Sequence, residues 1–289
     1  MTNANTNREV LLVIHPTRKD AAKFGNELAK ALITKGFKVS TNRSDLVSSA
    51  SEFKDSSNLE IAVVLGGDGT ILRAAELVRG VRIPILGINM GSVGFLAEIL
   101  EPTVEELIAA ISQNRIKSEP RLVLSYEVIR GGAVVNQGWA LNEVTIERSA
   151  SQMVEIFLQI DNRPLSRWGC DGVICATPTG STAYAFSAGG PVVWPEVSAF
   201  ILLPLAAHAL FNRPMVISPD SEIGIDLESE TAEVSADGMR KFNIVKGDRI
   251  IVKRDPQEVL LSHIDEGLFT DRLVAKFRLP IEGWRGERA

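Results

Sequence analysis

The amino-acid sequence predicts an α/β domain built on a parallel sheet, joined to a second, β-rich domain. Strand-like apolar runs alternate with helix-period segments over residues 1–118, the pattern of a parallel sheet covered on both faces. After Pro120 the alternation gives way to strand patterns punctuated by turn signals. No Pro/Ser-rich linker, low-complexity segment or internal repeat interrupts the chain.

Taken in order, "EVLLVIHP" from Glu9 is a continuous apolar run and predicts a buried strand. Residues 20–34 carry Ala22, Phe24, Leu28 and Leu32 at helical spacing, with Gly36 as a stop. "FKVST" and "IAVVLGG" predict the second and third strands, "TILRAAELVRG" a helix from Thr70 to Gly80, and "IPILGIN" a fourth strand. In "TVEELIAAISQ", Thr103 and Glu106 form a capping-box pair at a helix start. The β-rich part opens with "LVLSYEVIRGGAVVNQGWALNEVTIERS", strands joined by a Gly-Gly hairpin. "MVEIFLQIDNRPLSRW" alternates around an "IDNRP" turn, and strands recur from Met215 to His263 as "SEIGIDLE", "RIIVKRD" and "EVLLSHID". One helix, beginning near Ser181, interrupts them.

The 289 residues are 45% hydrophobic and 23% charged, enough for a sizeable core. A net charge of −5 argues against a nucleic-acid partner or a polybasic membrane binder. The apolar stretch Ala199–Phe211 is broken by Pro204 and His208 and is too short to span a bilayer. "MTNANTNREV" lacks the layout of a signal peptide. Cys170 and Cys175 fit neither a disulfide framework nor a zinc knuckle, and point to reduced thiols in a cytoplasm. His15, His208 and His263 are not spaced as metal ligands, so no protein metal site is expected.

Four stretches carry candidate chemistry. "GGDGT", Gly66–Thr70, follows a strand and precedes a helix, so it sits where parallel sheets open onto ligands. Its glycines permit a tight turn, and the free N–H groups of the helix start suit a phosphate. An acid there, Asp68, is repelled by the anion unless it binds a metal or accepts a proton. Neither G-x-x-x-x-G-K-[ST] nor a G-x-G-x-x-G after the first strand is present, which excludes a P-loop enzyme and disfavours a standard dinucleotide dehydrogenase. "INMGSVGFLAE", Ile88–Glu98, is a second Gly-rich turn after a strand; alone it reads equally as a tight turn. In "NEV", Asn142 and Glu143 suit either a solvated strand end or a grip on a base edge and a ribose diol. "DGVICATPTGSTAYAFSAGGP", Asp171–Pro191, gathers the hydroxyls of Thr177, Thr179, Ser181 and Thr182 beside Tyr184, a set that can donate to a polar ligand.

These motifs, in this order, resemble those of NAD kinases, and "AHALFNRPMV" and "SADGMR" match later segments of that family. The similarity runs from about residue 9 to residue 278. "TPTGSTAY" is highly specific, whereas "GGDGT" is shared with lipid kinases and phosphofructokinase-like relatives. The resemblance implies a Rossmann-like or phosphofructokinase-like first domain (1–118), a β-rich NAD-binding domain (119–269), and a last segment (270–289), with the amphipathic "DRLVAKFRL", returning to the first. It implies transfer of a phosphoryl group from ATP, or inorganic polyphosphate, to the 2′-hydroxyl of the adenosine ribose of NAD, with Mg²⁺ or another divalent metal. Asp68 is then the proton acceptor, while Gly67 and Gly69 clear space for phosphates. Phe95, Asn142, Glu143, Thr179, Thr182, Ala183, Tyr184 and Ser187 surround NAD, Asp171 serves the nicotinamide half, and His208 and Asp237 are further binding candidates. A homodimer or homotetramer is implied as well. "ILLPLA", before "AHALF", departs from the polar stretch of many relatives, which bears on NAD against NADH. Two alternatives were open to the residues: a GGDGT-loop kinase of a lipid or sugar-phosphate hydroxyl, and a non-catalytic NAD-binding protein.

Overall fold

Strand β1 (Glu9–Ile14) is buried along its whole length, as its unbroken apolar run requires in a sheet covered on both faces. The structure, a computed structural model, describes residues 8–54, 58–91, 94–97, 102–149, 151–264 and 268–281. The signal-peptide reading of the N-terminus rests on residues that mostly lie outside this set, as do Ser92, Val93 and Glu98 of the second Gly-rich stretch and residues 282–289. Helix α1 (Lys19–Thr34) buries Ala21, Gly25, Leu28, Ala29 and Leu32, a stripe that takes in Gly25 and leaves Phe24 only half-buried. A Cβ on Gly25 would come within 2.9 Å of Ile14 Cδ1, so the missing side chain lets α1 settle onto β1.

The chain continues through β2 (Lys38–Thr41), β3 (Ser51–Glu52), β4 (Leu59–Leu65), α2 (Asp68–Leu77), β5 (Pro84–Ile88), α3 (Val104–Ser112) and β6 (Lys117–Arg121). The Thr103–Glu106 capping box forms as expected: Thr103 Oγ1 accepts the Glu106 N–H at 3.2 Å, and Glu106 Oε2 accepts the Thr103 N–H at 2.8 Å. Helix α2 starts two residues earlier than the sequence pattern indicates, which places Asp68 in its first turn.

The β-rich part comprises β7 (Leu124–Arg130), β8 (Ala133–Ala140), β9 (Glu143–Glu147), β10 (Val154–Ile160), β11 (Arg163–Cys170), β12 (Gly172–Ala176), a 3₁₀ turn (Thr179–Thr182), the one-turn helix α4 (Tyr184–Ser187), β13 (Phe200–Leu205), β14 (Met215–Ile217), β15 (Ile223–Leu227), β16 (Thr231–Ala236), β17 (Arg240–Val245) and β18 (Arg249–Arg254). Both predicted hairpins close on two left-handed residues, Gly131–Gly132 (φ 58° and 84°) and Asp161–Asn162 (φ 51° and 59°), the turn geometry that suits twisted strands. The chain ends with β19 (Val259–His263) and α5 (Phe269–Phe277).

Two compact units result. In the first, the sheet order is β3-β2-β1-β4-β5-β19-β6; β1, β2, β3, β4, β5 and β19 pair in parallel. Val10, Leu12, Ile14, Val63, Leu65, Leu86 and Ile88 pack with α1 and α3 on one side. Strand β19 reads from sequence as part of the β-rich domain; it instead pairs with β5, so the chain re-enters this unit at Val259 rather than at residue 270. The second unit, Arg121–Glu258, holds two six-stranded antiparallel sheets, β11-β10-β15-β18-β7-β8 and β14-β13-β12-β9-β16-β17. Their inward side chains, among them Val128, Ile146, Ile156, Trp168, Val173, Phe200 and Ile250, share one core.

Candidate functional site

In the first unit the candidate site begins where β4 stops. The Gly66 N–H donates to Ile88 O on the neighbouring β5 at 3.1 Å, and a side chain on Gly66 would overlap Thr70. Gly67 is the N-cap of α2 in extended backbone, with no side-chain cap. The backbone N–H groups of Gly67, Asp68 and Gly69 have no acceptor among the described residues, and a Cβ at Gly67 or Gly69 would meet nothing within 4 Å. The helix start therefore presents open donors and a partial positive charge to the space in front of it.

Asp68 does not float in that space. Its Oδ2 accepts the Phe95 N–H at 2.9 Å and its Oδ1 accepts the Leu96 N–H at 3.1 Å. These bonds fix the plane of the carboxylate and leave each oxygen a further lone pair. Gly94 makes the fit possible, since a Cβ there would overlap Asp68 and lie 2.8 Å from its Cγ. The second Gly-rich stretch thus serves the first, a relation its residues alone leave open. The resemblance implies that Phe95 lines the NAD site. Its ring is 6% exposed and packs against Phe269 and Phe277 of α5, at centroid distances of 5.9 and 5.7 Å. It is the backbone N–H of Phe95 that reaches the site.

In the second unit, Asp237 organises the "LNEV" turn from below. The residue sits in the left-handed region (φ 53°), and its Oδ1 accepts the N–H of Asn142 at 2.7 Å and of Glu143 at 3.3 Å. Its Oδ2 accepts the Leu141 N–H at 3.0 Å and an Arg240 guanidinium N–H at 2.9 Å. A carboxylate so buried and so fully engaged holds the turn. Burial pushes the Asp237 carboxyl up, opposed by the backbone donors of Leu141 and Asn142. Arg240 also lies over the Trp139 ring at 4.4 Å, so the sequence reading missed a residue that braces this turn.

Glu143 is 7% exposed and its Oε2 has no hydrogen-bond partner among the described residues. A buried carboxyl oxygen without a partner costs free energy. Burial first, then the charge of Asp237, pushes the Glu143 carboxyl up to about 8. The unfolded chain ionises this group near the ordinary carboxylate value of about 4.5, so folding keeps a proton that the unfolded state releases. Stability therefore falls as pH rises from about 4.5 to about 8. Glu143→Gln removes that fall. The variant is expected to be more stable than the parent at pH 8, by on the order of 2 kcal/mol, and so to melt higher there, with a much smaller gain at pH 5. Thermal melts at the two pH values read this directly.

The "TPTGSTAY" turn is laced onto the same backbone. The Thr177 N–H donates to Asn142 O at 2.8 Å, the Thr177 hydroxyl to Leu141 O at 2.6 Å, and the Gly180 N–H to Thr177 Oγ1 at 3.0 Å. Ser181 Oγ bonds both the N–H and the carbonyl of Val193, and the Thr182 hydroxyl donates to Thr179 O at 3.3 Å. Three of the four hydroxyls expected to meet a ligand are thus committed to the turn, because buried hydroxyls must find partners. Thr179 is buried, Ala183 and Thr182 half-buried, and Tyr184 and Ser187 exposed. The Tyr184 hydroxyl donates to Glu147 Oε2 at 3.1 Å, and the Tyr184 N–H eases the charge of Glu143. Thr182, Ala183, Tyr184 and Glu143 accordingly share one corner of this unit.

Asp171 lies half-exposed in an ion pair with Arg148 at 3.2 Å. The exposed His208 is held by its backbone N–H on Gly169 O at 2.8 Å. Among the described residues no group of three or more His, Cys, Asp and Glu is placed to hold a metal ion. Cys170 and Cys175 are free and buried, with thiols pushed by burial up to about 11 and about 12. Among the described residues no helix is long and apolar enough to cross a membrane.

Comparison with known proteins bears on this arrangement. The ATP-NAD kinase N-terminal domain family matches residues 38–116, and the ATP-NAD kinase C-terminal domain family matches residues 141–264. The chain is 45% identical to the NAD kinase of Leifsonia xyli subsp. xyli over 96% of this chain and 97% of that one. It is 42% identical to the NAD kinase of Thermobifida fusca, over 98% and 93% of the two chains. The crystal structure of yeast NADH kinase complexed with NADH matches its fold with a TM-score of 0.82 at 24% identity, covering 98% of this chain and 89% of that one. An NAD kinase from Archaeoglobus fulgidus in complex with ATP matches with a TM-score of 0.67 at 29% identity, covering 94% and 98%.

Proposed function

This chain belongs to the NAD kinase family and transfers a phosphoryl group to NAD, and on that premise we propose that Asp68 is the base that activates the ribose 2′-hydroxyl. The observation that carries the assignment is the carboxylate held at the head of α2, beside backbone donors without an acceptor among the described residues. Asp68 takes the hydroxyl proton, the ribose oxygen bonds to the γ-phosphorus of ATP, and the bond from that phosphorus to the β–γ bridging oxygen breaks, releasing ADP. The N–H groups of Gly67, Asp68 and Gly69 receive donor phosphates, which the field of α2 favours. Glu143 hydrogen-bonds the adenosine half of NAD, which gives its buried oxygen the partner it lacks among the described residues. Asn142, Thr179, Thr182, Ala183, Tyr184 and Ser187 surround that half, while Asp171 and His208 serve the nicotinamide side. The relatives named above are NAD or NADH kinases, so neither a lipid or sugar-phosphate kinase nor a non-catalytic binder gains support.

Mg²⁺ enters as part of the MgATP substrate. One carboxylate at the helix start, with no three-ligand cluster among the described residues, suits an ion held chiefly by phosphate oxygens and water. The ion supplies neutralisation of the charge on the γ-phosphoryl. EDTA is therefore expected to abolish turnover, reversibly on adding MgCl₂, while leaving the melting temperature of the ligand-free protein unchanged. A melting shift with EDTA alone would indicate a resident ion. The proposed donor contacts are to phosphate and not to adenosine, so inorganic polyphosphate is included as a donor.

Buried, free cysteines support a reducing cytoplasm, and the open side chains of Leu210, Phe211 and Val216 support assembly into a homodimer or homotetramer. Incubation with MgATP and NAD, with phosphorus NMR locating the new phosphate, tests the reaction. A 2′-phosphate on the adenosine ribose is the expected product, and its absence with every donor tried contradicts the proposal. The same matrix run with NADH and polyphosphate reads acceptor and donor preference.

A further inference from the structure

The carboxylate of Asp68 is held by a loop, and that loop is held in turn by the C-terminal helix. The Phe95 carbonyl accepts from Arg272 Nη1 at 3.2 Å, a contact between residues 177 positions apart. Arg272 is 3% exposed on α5, and its Nη2 lies 2.8 Å from Nδ1 of the buried His263 on β19. A guanidinium only donates, so His263 Nδ1 is the acceptor at this contact, and the ring Nε2 lies 3.7 Å from Glu119 Oε2. Phe269 and Phe277, one on either side of Arg272 along α5, grip the Phe95 ring. One residue of the loop is thus fixed at its carbonyl and its ring by α5, while its N–H points to Asp68 Oδ2.

We propose that Arg272 is a positioning residue for the reaction: through the Phe95 peptide it sets the orientation of the Asp68 carboxylate. This rests on the assignment of Asp68 as the base. Arg272 is always charged and 3% exposed, and it places one of its donors on the Phe95 carbonyl. A carboxylate that must meet a hydroxyl at hydrogen-bond distance is sensitive to small rotations, since a misplacement of about 1 Å costs on the order of 10²-fold in rate. The remaining parts of the clamp follow the same logic. His263 holds the guanidinium in register, and the aromatic grip keeps the loop from following any drift of the arginine.

The test compares Arg272→Met, Arg272→Lys, His263→Phe and Asp68→Asn, alone and with Arg272→Met combined with Asp68→Asn, by kcat and by KM for NAD and ATP. Arg272→Met is expected to lower kcat by about 10–100-fold with both KM values within about threefold of the parent. Arg272→Lys, which restores a donor to the Phe95 carbonyl, recovers part of that loss. His263→Phe, which fills the space but removes one partner of the guanidinium, loses about tenfold in kcat. In the Asp68→Asn background, Arg272→Met costs no more than about twofold further, because the group it positions is already gone. Full kcat in Arg272→Met overturns the proposal, as does an undiminished loss in the double variant. If Arg272→Met does not fold, Arg272→Lys and His263→Phe decide, and parent-level kcat in His263→Phe overturns it. An active Asp68→Asn enzyme instead overturns the assignment of the base.

Discussion

Asp68→Asn is expected to leave the protein folded and to lower kcat by about 10²–10⁴-fold, the usual worth of a positioned general base. The amide keeps the size of the side chain and can still accept one of the two backbone donors, from Phe95 or Leu96. Its NH₂ group cannot accept the other, and it cannot take a proton from the hydroxyl. The two effects separate in kinetics. Loss of proton transfer lowers kcat, whereas a loosened loop raises KM for the donor. A kcat within threefold of the parent contradicts the base role.

Gly180→Ala is expected to be the most damaging substitution in the second unit. The added methyl would overlap the Asn142 carbonyl oxygen and lie 2.5 Å from its carbon and 2.7 Å from Asn142 Cα. These are backbone atoms. Asn142 is tied by its N–H to Asp237 and by its carbonyl to Thr177, so it cannot yield without breaking both turns. Overpacking of this kind costs about 1–3 kcal/mol, and occasionally more. The variant should melt lower and bind NAD at least about tenfold more weakly, a change equivalent to roughly 1.4 kcal/mol. The control is Gly80→Ala: that glycine meets nothing within 4 Å and its backbone is not left-handed. Calorimetric binding and a thermal melt distinguish the pair, and equal NAD affinity in Gly180→Ala and the parent contradicts the account of this turn.

What the sequence made legible was what local chemistry decides. Strand β1 is a run of apolar residues, the Thr103–Glu106 box is two side chains three apart, and each hairpin carries its own turn residues. Nonlocal choices were not legible. The sequence "EVLLSH" alternates like any strand of the β-rich part, and nothing within it says that it pairs with β5. The helix expected near Ser181 shrinks to a 3₁₀ turn and one turn of α-helix. Ser181 and Thr182 spend their hydroxyls on nearby backbone, which favours turns over helix. The same division holds for the site. Asp68 and Glu143 announce themselves as acids in unusual company, yet the residues that hold them do not. Gly94 touches Asp68 from 26 positions away, Gly180 presses on Asn142, and Arg272 reaches Phe95 from the far end of the chain. A Gly in a turn or an Arg on an amphipathic helix has an ordinary explanation until the fold brings its partner alongside.

The central claim, that Asp68 accepts the proton of the ribose 2′-hydroxyl as the phosphoryl group arrives, is tested most directly by a single-turnover experiment. Enzyme saturated with NAD is mixed rapidly with excess MgATP, and formation of the 2′-phosphate is followed in the parent and in Asp68→Asn. The account predicts that NAD affinity changes by no more than about threefold while the single-turnover rate falls by at least about 10²-fold. A single-turnover rate equal to that of the parent would contradict it.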